Sequence, residues 1–203
     1  MDQSEKHHGL LPENEENAVD SVVSTQRVVL TDKHSLFQIQ EKIKPAAEAL
    51  TRGELAVFPT ETVYGLGAGI YAAKGVQRIF CVKGRPADNP LIVHIADINQ
   101  ALDLIHESTP DLFFLYAERF WPGPVTFVVP KSQRVSDKIT GGKPSVAIRF
   151  PSHPVAQILI NSAGQPIAAP SANISGKPSA TRPEHLRELE GKVEWIIDNG
   201  PIT

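Results

Sequence analysis

The sequence predicts a mixed α/β domain. Short runs rich in β-branched and aromatic residues, which are typical of strands, alternate with longer segments in which apolar residues recur at helical spacing. The chain has 203 residues, of which 41% are hydrophobic and 21% are charged, and this composition suits one globular domain with a sizeable core. No internal repeat is visible. We therefore expect a single α/β domain, preceded by a polar segment.

The polar segment comprises residues 1–25, which carry six acidic side chains and one lysine and show no hydrophobic periodicity. We interpret these residues as a flexible acidic tail and residues 26–203 as the domain. Because the formal net charge is −3 and the tail contributes −5, the domain itself carries +2. No window is apolar enough to span a membrane and no signal-peptide pattern begins the chain, so we expect a cytoplasmic protein.

About seven strands and six helices are predicted from these patterns. The strands lie at 26–30, 55–58, 91–95, 125–129, 145–150, 166–169 and 193–197, and the helices at 36–50, 72–82, 97–105, 110–120, 154–160 and 185–189. The first helix follows Ser35, a suitable N-cap, and ends at Gly53, whereas Pro45 inside it predicts a kink or a split. The second helix contains Cys81, which we expect to be a small buried apolar residue.

A polar segment, residues 59–67, follows the buried strand at 55–58, and we predict that it is a loop. It contains two threonines, a glutamate and two glycines. Such residues at the end of a strand offer hydroxyl groups and close backbone approach to a small ligand. A capped turn without a ligand is the alternative.

Two cations, Lys83 and Arg85, stand one residue apart between the second helix and the strand at 91–95. Two prolines and a glycine keep this segment out of both neighbouring elements, so it can present charge to a ligand. In the strand, His94 shares a face with Ile92 at the edge of an apolar sheet. The alternative is that the cations are ordinary loop residues and that His94 is a hydrogen-bonded core histidine.

The segment 131–149 is basic, since one acid, Asp137, accompanies five cations. These cations are Lys131, Arg134, Lys138, Lys143 and Arg149. The patch could hold phosphates or nucleic acid, and a solvated charged face is the alternative. In the strand at 145–150, Ser145, Ala147 and Arg149 share a small, polar, cationic face that could line a wet cleft or face bulk solvent.

The strand at 166–169 ends in a turn where Ser171 and Asn173 stand at alternate positions and could bind one ligand. Phosphate-loop, dinucleotide-fold, nucleophile-elbow and zinc-helix motifs are missing from the sequence. No cluster of metal ligands is present either, so we expect no protein-held metal. The remaining candidates are cations, hydroxyls and an amide, which bind anions and stabilise developing negative charge.

Six segments resemble, in order and spacing, the motifs of the YrdC family of L-threonylcarbamoyladenylate synthases. They are Phe58-Pro-Thr-Glu-Thr-Val-Tyr-Gly-Leu-Gly67, Lys83-x-Arg85, Asn89-Pro-Leu-Ile-Val-His-Ile95, Trp121-Pro-Gly-Pro124, Val146-Ala-Ile-Arg149 and Ala168-Ala-Pro-Ser-Ala-Asn173. The resemblance implies a twisted mixed sheet with flanking helices around a basic cavity. It also implies a nucleotidyltransferase that condenses L-threonine, bicarbonate and ATP, with magnesium, to threonylcarbamoyl-AMP and pyrophosphate for tRNA modification.

The same resemblance implies roles for individual residues. The family's Lys-x-Arg and Ser-x-Asn motifs fall on Lys83, Arg85, Ser171 and Asn173, which would be catalytic. Arg85, Asn89, Ser145, Ser171 and Ser179 would surround ATP. Thr62, His94, Arg149 and the backbone near Ala169 would surround L-threonine, with Arg149 as the carboxylate clamp.

The family pattern continues beyond residues 196–200 into a Gly-x-x-Ser-Thr strand and an Arg-Pro-Gly segment, whereas this sequence ends at Thr203. We therefore expect a chain that is truncated relative to the family pattern, or an impaired enzyme. The expected partners are the substrates and the threonylcarbamoyl transferase machinery downstream, with tRNA or double-stranded RNA as a further candidate and no membrane. The alternative functions are a non-catalytic tRNA or double-stranded RNA-binding module and a YrdC-like carbamoyl-adenylate module of hydrogenase maturation.

Overall fold

The computed structural model describes residues 22–202, so most of the predicted acidic tail lies outside the described residues. The last residues of that segment are hydrogen-bonded to the domain. The amide of Val23 donates to the carbonyl of Gly191 at 2.9 Å, and the hydroxyl of Thr25 donates to the carbonyl of Val193 at 2.6 Å. Residues 23–25 thus lead directly into the first strand.

Eight strands form one mixed sheet in the described part of the chain, which confirms the α/β prediction. The strands are β1 (Gln26–Val29), β2 (Ala56–Pro59), β3 (Tyr64–Gly69), β4 (Ile92–His94), β5 (Thr126–Pro130), β6 (Ser145–Arg149), β7 (Ile167–Ala168) and β8 (Trp195–Asp198). The helices are α1 (Leu36–Thr51), α2 (Ala73–Lys83), α3 (Ile98–Leu102), α4 (Asp111–Phe120), α5 (Asp137–Thr140) and α6 (Pro154–Ala163), with a 3-10 helix at Pro183–Leu189. Only the short α5 has no predicted counterpart among the helices.

The strand order is β1-β8-β2-β3-β7-β4-β6-β5. β8 runs parallel to both β1 and β2, and β4 runs parallel to β6. The pairs β2–β3, β3–β7, β4–β7 and β5–β6 are antiparallel. The two parallel groups are therefore joined through β3 and β7, at the centre of the sheet.

The helix α1 begins as predicted and passes through Pro45 without a break. Ser35 caps it by accepting from the amide of Gln38, and the side chain of Gln38 accepts from the amide of Ser35 in return. Of the predicted kink or split at Pro45, the split is wrong, because the helix continues to Thr51. The apolar face of α1 is buried against α6, and this burial offsets the hydrogen bond that a proline cannot donate.

The predicted loop at 59–67 is also wrong, because its second half is the central strand β3. The chain turns at residues 60–63 and pairs back on β2, with Pro59 opposite Tyr64. Glycines at alternate positions of β3 suggested a loop, but every residue of the strand is buried. The sequence pattern could not show that glycine here serves close packing rather than a turn.

The glycines of β3 leave room for side chains on one face of the sheet. A Cβ atom on Gly67 would lie 2.7 Å from Ile167 Cγ2 and 2.8 Å from Phe58 Cε1, closer than non-bonded carbon atoms approach each other. Phe58 and Ile167 thus fill the space above a strand that has no side chain at this position. β2, β3 and β7 are packed together as one layer for this reason.

The sheet separates two apolar cores. One face packs against α2 and α4, with Leu66, Val93 and Ile148 among its buried residues. On the other face, α1 and α6 cover only the half formed by β8, β2, β3 and β7. We call the uncovered half, formed by β4, β6 and β5, the open half-face. By strand register this face carries the partly or fully exposed residues Ile92, Thr126, Val128, Ser145 and Ala147, and the buried His94 and Arg149 at its end.

The open half-face is accessible to solvent, whereas the opposite face of the same strands, β4, β5 and β6, packs into the core. Val128 is 68% exposed, whereas Val129 and Val146 on the opposite face are buried. A ligand could therefore lie on this surface, beside the apolar core under α6. Within residues 22–202 no helix has the length and apolar character needed to cross a membrane. The cytoplasmic location stays a prediction.

The close packing over β3 leads to a first testable prediction. The substitution Gly67→Ala should destabilise the domain by about 1–3 kcal/mol, because the added methyl group must displace Phe58 or Ile167. Gly65→Ala is a matched control in the same strand, since its Cβ would lie 3.3 Å from Phe58 and needs only a small shift. Chemical denaturation of the three proteins measures the difference. Equal stabilities of Gly67→Ala and Gly65→Ala would contradict the packing argument.

Candidate functional site

The predicted threonine-binding residues meet at the ends of β4 and β6. These strands are parallel and pair His94 with Arg149, so both side chains leave the sheet at the same level and on the same face. The amide of Ala169, just after β7, donates to the carbonyl of Ile92 at 2.9 Å. Parallel pairing and the adjacent β7 thus bring three distant segments together beside the open half-face.

Arg149 is the cation at the centre of this group. Its side chain is only 9% exposed, and its Nη2 atom donates to Glu61 Oε1 at 2.7 Å and to Thr62 Oγ1 at 3.0 Å. Thr62 was predicted at the site, whereas Glu61 was noted only as a polar residue of the supposed loop. The turn between β2 and β3 brings both of them to Arg149, which lies 88 and 87 positions further along the chain.

Two atoms of the Arg149–Glu61 pair lack a hydrogen-bond partner. Arg149 Nε and Glu61 Oε2 are both buried, and neither finds a partner among residues 22–202. A buried donor or acceptor without a partner costs free energy, so such atoms often mark the position of a bound molecule or water. Here one donor and one acceptor are unsatisfied at the same place.

His94 is buried beside Arg149 and is neutral at physiological pH. Burial, followed by the positive charge of Arg149, lowers the pKa of His94 from 6.5 to about 4. Its Nδ1 atom lies 3.2 Å from the carbonyl oxygen of Ile92, and in the tautomer with the proton on Nδ1 it donates to that oxygen and leaves Nε2 as an acceptor. Its ring also packs against Phe58 in a T-shaped arrangement, with ring centroids 6.1 Å apart.

Lys83 is buried at the end of α2, on the same helical face as Val76 and Ile79. Its Nζ atom donates to the carbonyl of Ser171 at 2.5 Å and to the carbonyl of Asn173. Burial, with a smaller effect of Arg85, lowers the pKa of Lys83 to about 8. The ammonium group therefore fixes the loop after β7. Cys81, expected to be buried, is exposed, because the buried face of α2 passes through residues 76, 79 and 83 instead.

The side chains of Ser171 and Asn173 contact each other above this lysine. Ser171 Oγ donates to Asn173 Oδ1 at 2.5 Å, and Asn173 Nδ2 donates to the carbonyls of Ile174 and Lys177. The structure thus unites Lys83, Ser171 and Asn173, although the lysine contacts main-chain rather than side-chain atoms. Their hydroxyl and amide groups are held in place by the loop that Lys83 fixes.

Arg85 and Asn89, both expected near ATP, form a hydrogen bond with each other. Arg85 Nη2 donates to Asn89 Oδ1 at 2.7 Å and to the carbonyl of Pro90 at 2.8 Å. Burial lowers the pKa of Arg85, although the group remains a cation. The loop before β4 is therefore folded around this guanidinium group.

Ser145 lies apart from Arg149, whereas Ser179 lies on the side of Asn173. Ser145 begins β6 and Arg149 ends it, so the two lie about 13 Å apart along the strand. Ser179 is exposed and lines a cavity of about 430 Å³ together with Asn173 and residues of the 3-10 helix. The predicted ATP-binding residues therefore do not all meet at one point.

The basic segment 131–149 does not form a continuous free cationic surface. Lys131 pairs with Asp137 at 2.6 Å, Arg134 pairs with Asp103 at 2.5 Å, and Arg149 pairs with Glu61. Three of its five cations are thus paired with carboxylates. Asp103 and Glu61 come from outside the segment and Asp137 from within it, and this pairing weakens the case for a nucleic-acid surface there.

A profile described as "Sua5_yciO_yrdC: Telomere recombination" matches residues 48–203. The chain belongs to the Sua5/YciO/YrdC family. A threonylcarbamoyl-AMP synthase of Pyrococcus abyssi is 54% identical over 160 residues, which are 78% of this chain and 47% of that protein. A threonylcarbamoyl-AMP synthase of Bacillus subtilis is 50% identical over 181 residues, 88% of this chain and 52% of that protein. This chain therefore spans about half the length of these two curated relatives.

The fold of this Sua5/YciO/YrdC family member also matches solved structures. The crystal structure of Pyrococcus abyssi Sua5 complexed with L-threonine superposes with a TM-score of 0.81 and 49% sequence identity. The match covers 87% of this chain and 51% of that one. The mixed sheet with flanking helices that the sequence predicted is therefore the family fold.

The neutral state of His94 makes stability depend on pH. The pKa of His94 is about 4 in the folded protein, and its ordinary value of 6.5 applies to the unfolded chain. Between these two pH values the unfolded chain therefore binds a proton at His94 that the folded protein does not. Stability is thus fully present above pH 6.5 and should fall by about 3 kcal/mol on this account at pH 4.

The substitution His94→Asn keeps an N–H group for Ile92 but cannot titrate, so it should remove this part of the pH dependence. Urea unfolding at several pH values measures it. The wild type, unfolded in the same series, is the reference. An unchanged slope in His94→Asn would show that His94 is not the titrating group.

Proposed function

We propose that this chain is the catalytic domain of an L-threonylcarbamoyl-AMP synthase. It would condense L-threonine, bicarbonate and ATP to L-threonylcarbamoyl-AMP and pyrophosphate. The observation that carries the proposal is the buried guanidinium of Arg149, with an unsatisfied Nε atom, beside the neutral His94 and the Thr62 hydroxyl. Relatives that bear this name and a family neighbour in complex with L-threonine support the choice of substrate.

On the threonine side, the buried cation is suited to hold a carboxylate. A guanidinium can grip a carboxylate with two parallel hydrogen bonds, and burial strengthens the attraction. Nε2 of the neutral His94 can accept from a hydroxyl or amino group of the same ligand. Thr62 and the backbone after β7 at Ala169 complete the group of contacts that we propose for threonine.

On the nucleotide side, we propose that Arg85, Asn89, Ser145, Ser171 and Ser179 contact ATP. Lys83 would act through the loop that it fixes, because both of its acceptors are carbonyls of that loop. Magnesium would enter with ATP, since phosphate oxygens are its usual ligands in such sites.

The reaction that follows needs no covalent intermediate with the protein. The amino nitrogen of threonine bonds to the carbon of bicarbonate as a C–O bond breaks and water leaves, which gives a carbamate. An oxygen of the carbamate attacks the α-phosphorus of ATP, and the bond from that phosphorus to the bridging oxygen of pyrophosphate breaks. All three substrates are anionic or carry a carboxylate, so the protein must offset their mutual repulsion. Arg149 and Arg85 are the cations that we propose for this task.

The product would serve as the donor for threonylcarbamoyladenosine in tRNA. The transferase that consumes it, and a tRNA, are therefore proposed partners. Direct binding of RNA by the segment 131–149 is the less favoured function, because Lys131, Arg134 and Arg149 are paired with carboxylates.

The proposed activity is testable directly. Incubation of the protein with ATP, bicarbonate, magnesium and L-threonine should release pyrophosphate, and the release should depend on threonine and yield an adenylate of the matching mass. A preparation without bicarbonate is the control. RNA binding that weakens steeply with salt, without any threonine-dependent pyrophosphate, would favour the RNA-binding function instead.

The role of Arg149 can be tested by Arg149→Lys, which keeps the charge but loses the two parallel hydrogen bonds. The KM for threonine should rise by about tenfold or more, and the KM for ATP should change much less. Arg134→Lys, at the exposed pair with Asp103, is the matched control and should change neither constant. Equal increases for threonine and ATP would contradict this assignment.

A further inference from the structure

The pair formed by Glu61 and Arg149 has hydrogen-bonding capacity left on both of its members. Glu61 Oε1 accepts from Arg149 Nη2, yet Glu61 Oε2 and Arg149 Nε are buried without partners among the described residues. The unsatisfied acceptor belongs to the anion and the unsatisfied donor belongs to the cation. A ligand that satisfies both must itself offer a donor and an acceptor close together.

The geometry of the guanidinium limits how a carboxylate can bind in this state. A carboxylate that makes two parallel hydrogen bonds uses either Nη1 and Nη2 or Nη2 and Nε, so Nη2 takes part in both arrangements. Both hydrogens of Nη2 are already used, one by Glu61 Oε1 and the other by Thr62 Oγ1. A ligand carboxylate that grips Arg149 in this way must therefore displace one of these two oxygens.

Displacement of Glu61 would be costly unless the ligand also pairs with it. Its side chain is 20% exposed and its only ion-pair partner within residues 22–202 is Arg149. A largely buried carboxylate that loses its cation keeps its desolvation penalty and gains repulsion from the ligand's own carboxylate. A ligand that carries a cation beside its carboxylate avoids both penalties.

We propose that Glu61 gives up its bond to Arg149 when substrate binds and instead accepts from the α-ammonium group of the amino acid. The pair thereby selects zwitterionic α-amino acids over simple carboxylates. This inference rests on the proposed function and adds a specificity-determining residue to the threonine side of the site. Arg149 receives the carboxylate, Glu61 receives the ammonium group, and the two protein charges exchange one mutual bond for two bonds to the ligand.

Calorimetry without ATP tests the inference on binding alone. The two ligands are L-threonine and the dihydroxy acid in which a hydroxyl group replaces the α-amino group of threonine. The wild type should prefer threonine. In Glu61→Gln the ratio of the two dissociation constants should fall by about tenfold or more, because a charged hydrogen bond to ammonium is lost. The dihydroxy acid should bind to Glu61→Gln more tightly than to the wild type, since the carboxylate of Glu61 then no longer competes for Arg149.

The surface pair of Arg52 and Glu54 supplies the matched control, and Glu54→Gln should leave the preference intact. Glu61→Asp keeps the charge and should keep the preference, which provides a second variant if Glu61→Gln does not fold. If the role of Glu61 is merely structural, Glu61→Gln should weaken the binding of both ligands by the same factor. That outcome, an unchanged ratio, or a wild type that binds neither ligand would overturn the inference.

The outcome is independent of the proposed reaction. Discrimination that depends on Glu61 without any pyrophosphate release would leave the inference standing and would refute the synthase activity. Pyrophosphate release with no Glu61-dependent discrimination would do the opposite.

Discussion

The fold depends on how closely the central strand β3 approaches its neighbours. β3 links the parallel group β1-β8-β2 to the group β7-β4-β6-β5 and is buried along its whole length. Its glycines let Phe58 and Ile167 occupy the space above it. Because His94 packs on Phe58 and pairs with Ile167 through β4 and β7, the position of the site follows from this packing. A side chain at Gly67 would therefore disturb the layer that carries the site as well as the core.

Buried charge is the second constraint. Lys83, His94 and Arg149 are all largely removed from water, and each is stabilised differently. Lys83 donates to two carbonyls, His94 gives up its charge, and Arg149 is paired with Glu61. Such groups cost stability, so their presence in one region of a small domain is typical of a site where function is maintained at the expense of stability.

At the candidate site, the cations already have acceptors within the protein. The Arg149 cation is matched by Glu61, and Arg85 is surrounded by the oxygens of Asn89 and Pro90. These internal acceptors occupy donors that we propose for the substrates. Binding is then an exchange of partners, and the net gain depends on what the ligand offers in return. A site of this kind can reject anions that bring only half of the required groups.

Local patterns in the sequence determined most elements and several site residues. Helical spacing, the Ser35 cap and the β-branched runs located α1, α2, β5, β6 and β8 because they record interactions within a few neighbouring residues. The motif matches singled out Thr62, His94, Arg149, Ser171 and Asn173, which the fold places in two adjacent groups. Only the tertiary structure decided that the glycines of β3 form a strand, that Lys83 binds carbonyls and that Glu61 pairs with Arg149. Lys83 and Ser171, like Glu61 and Arg149, are 88 positions apart, and contacts across such separations are set by how the layers pack, which no local pattern records.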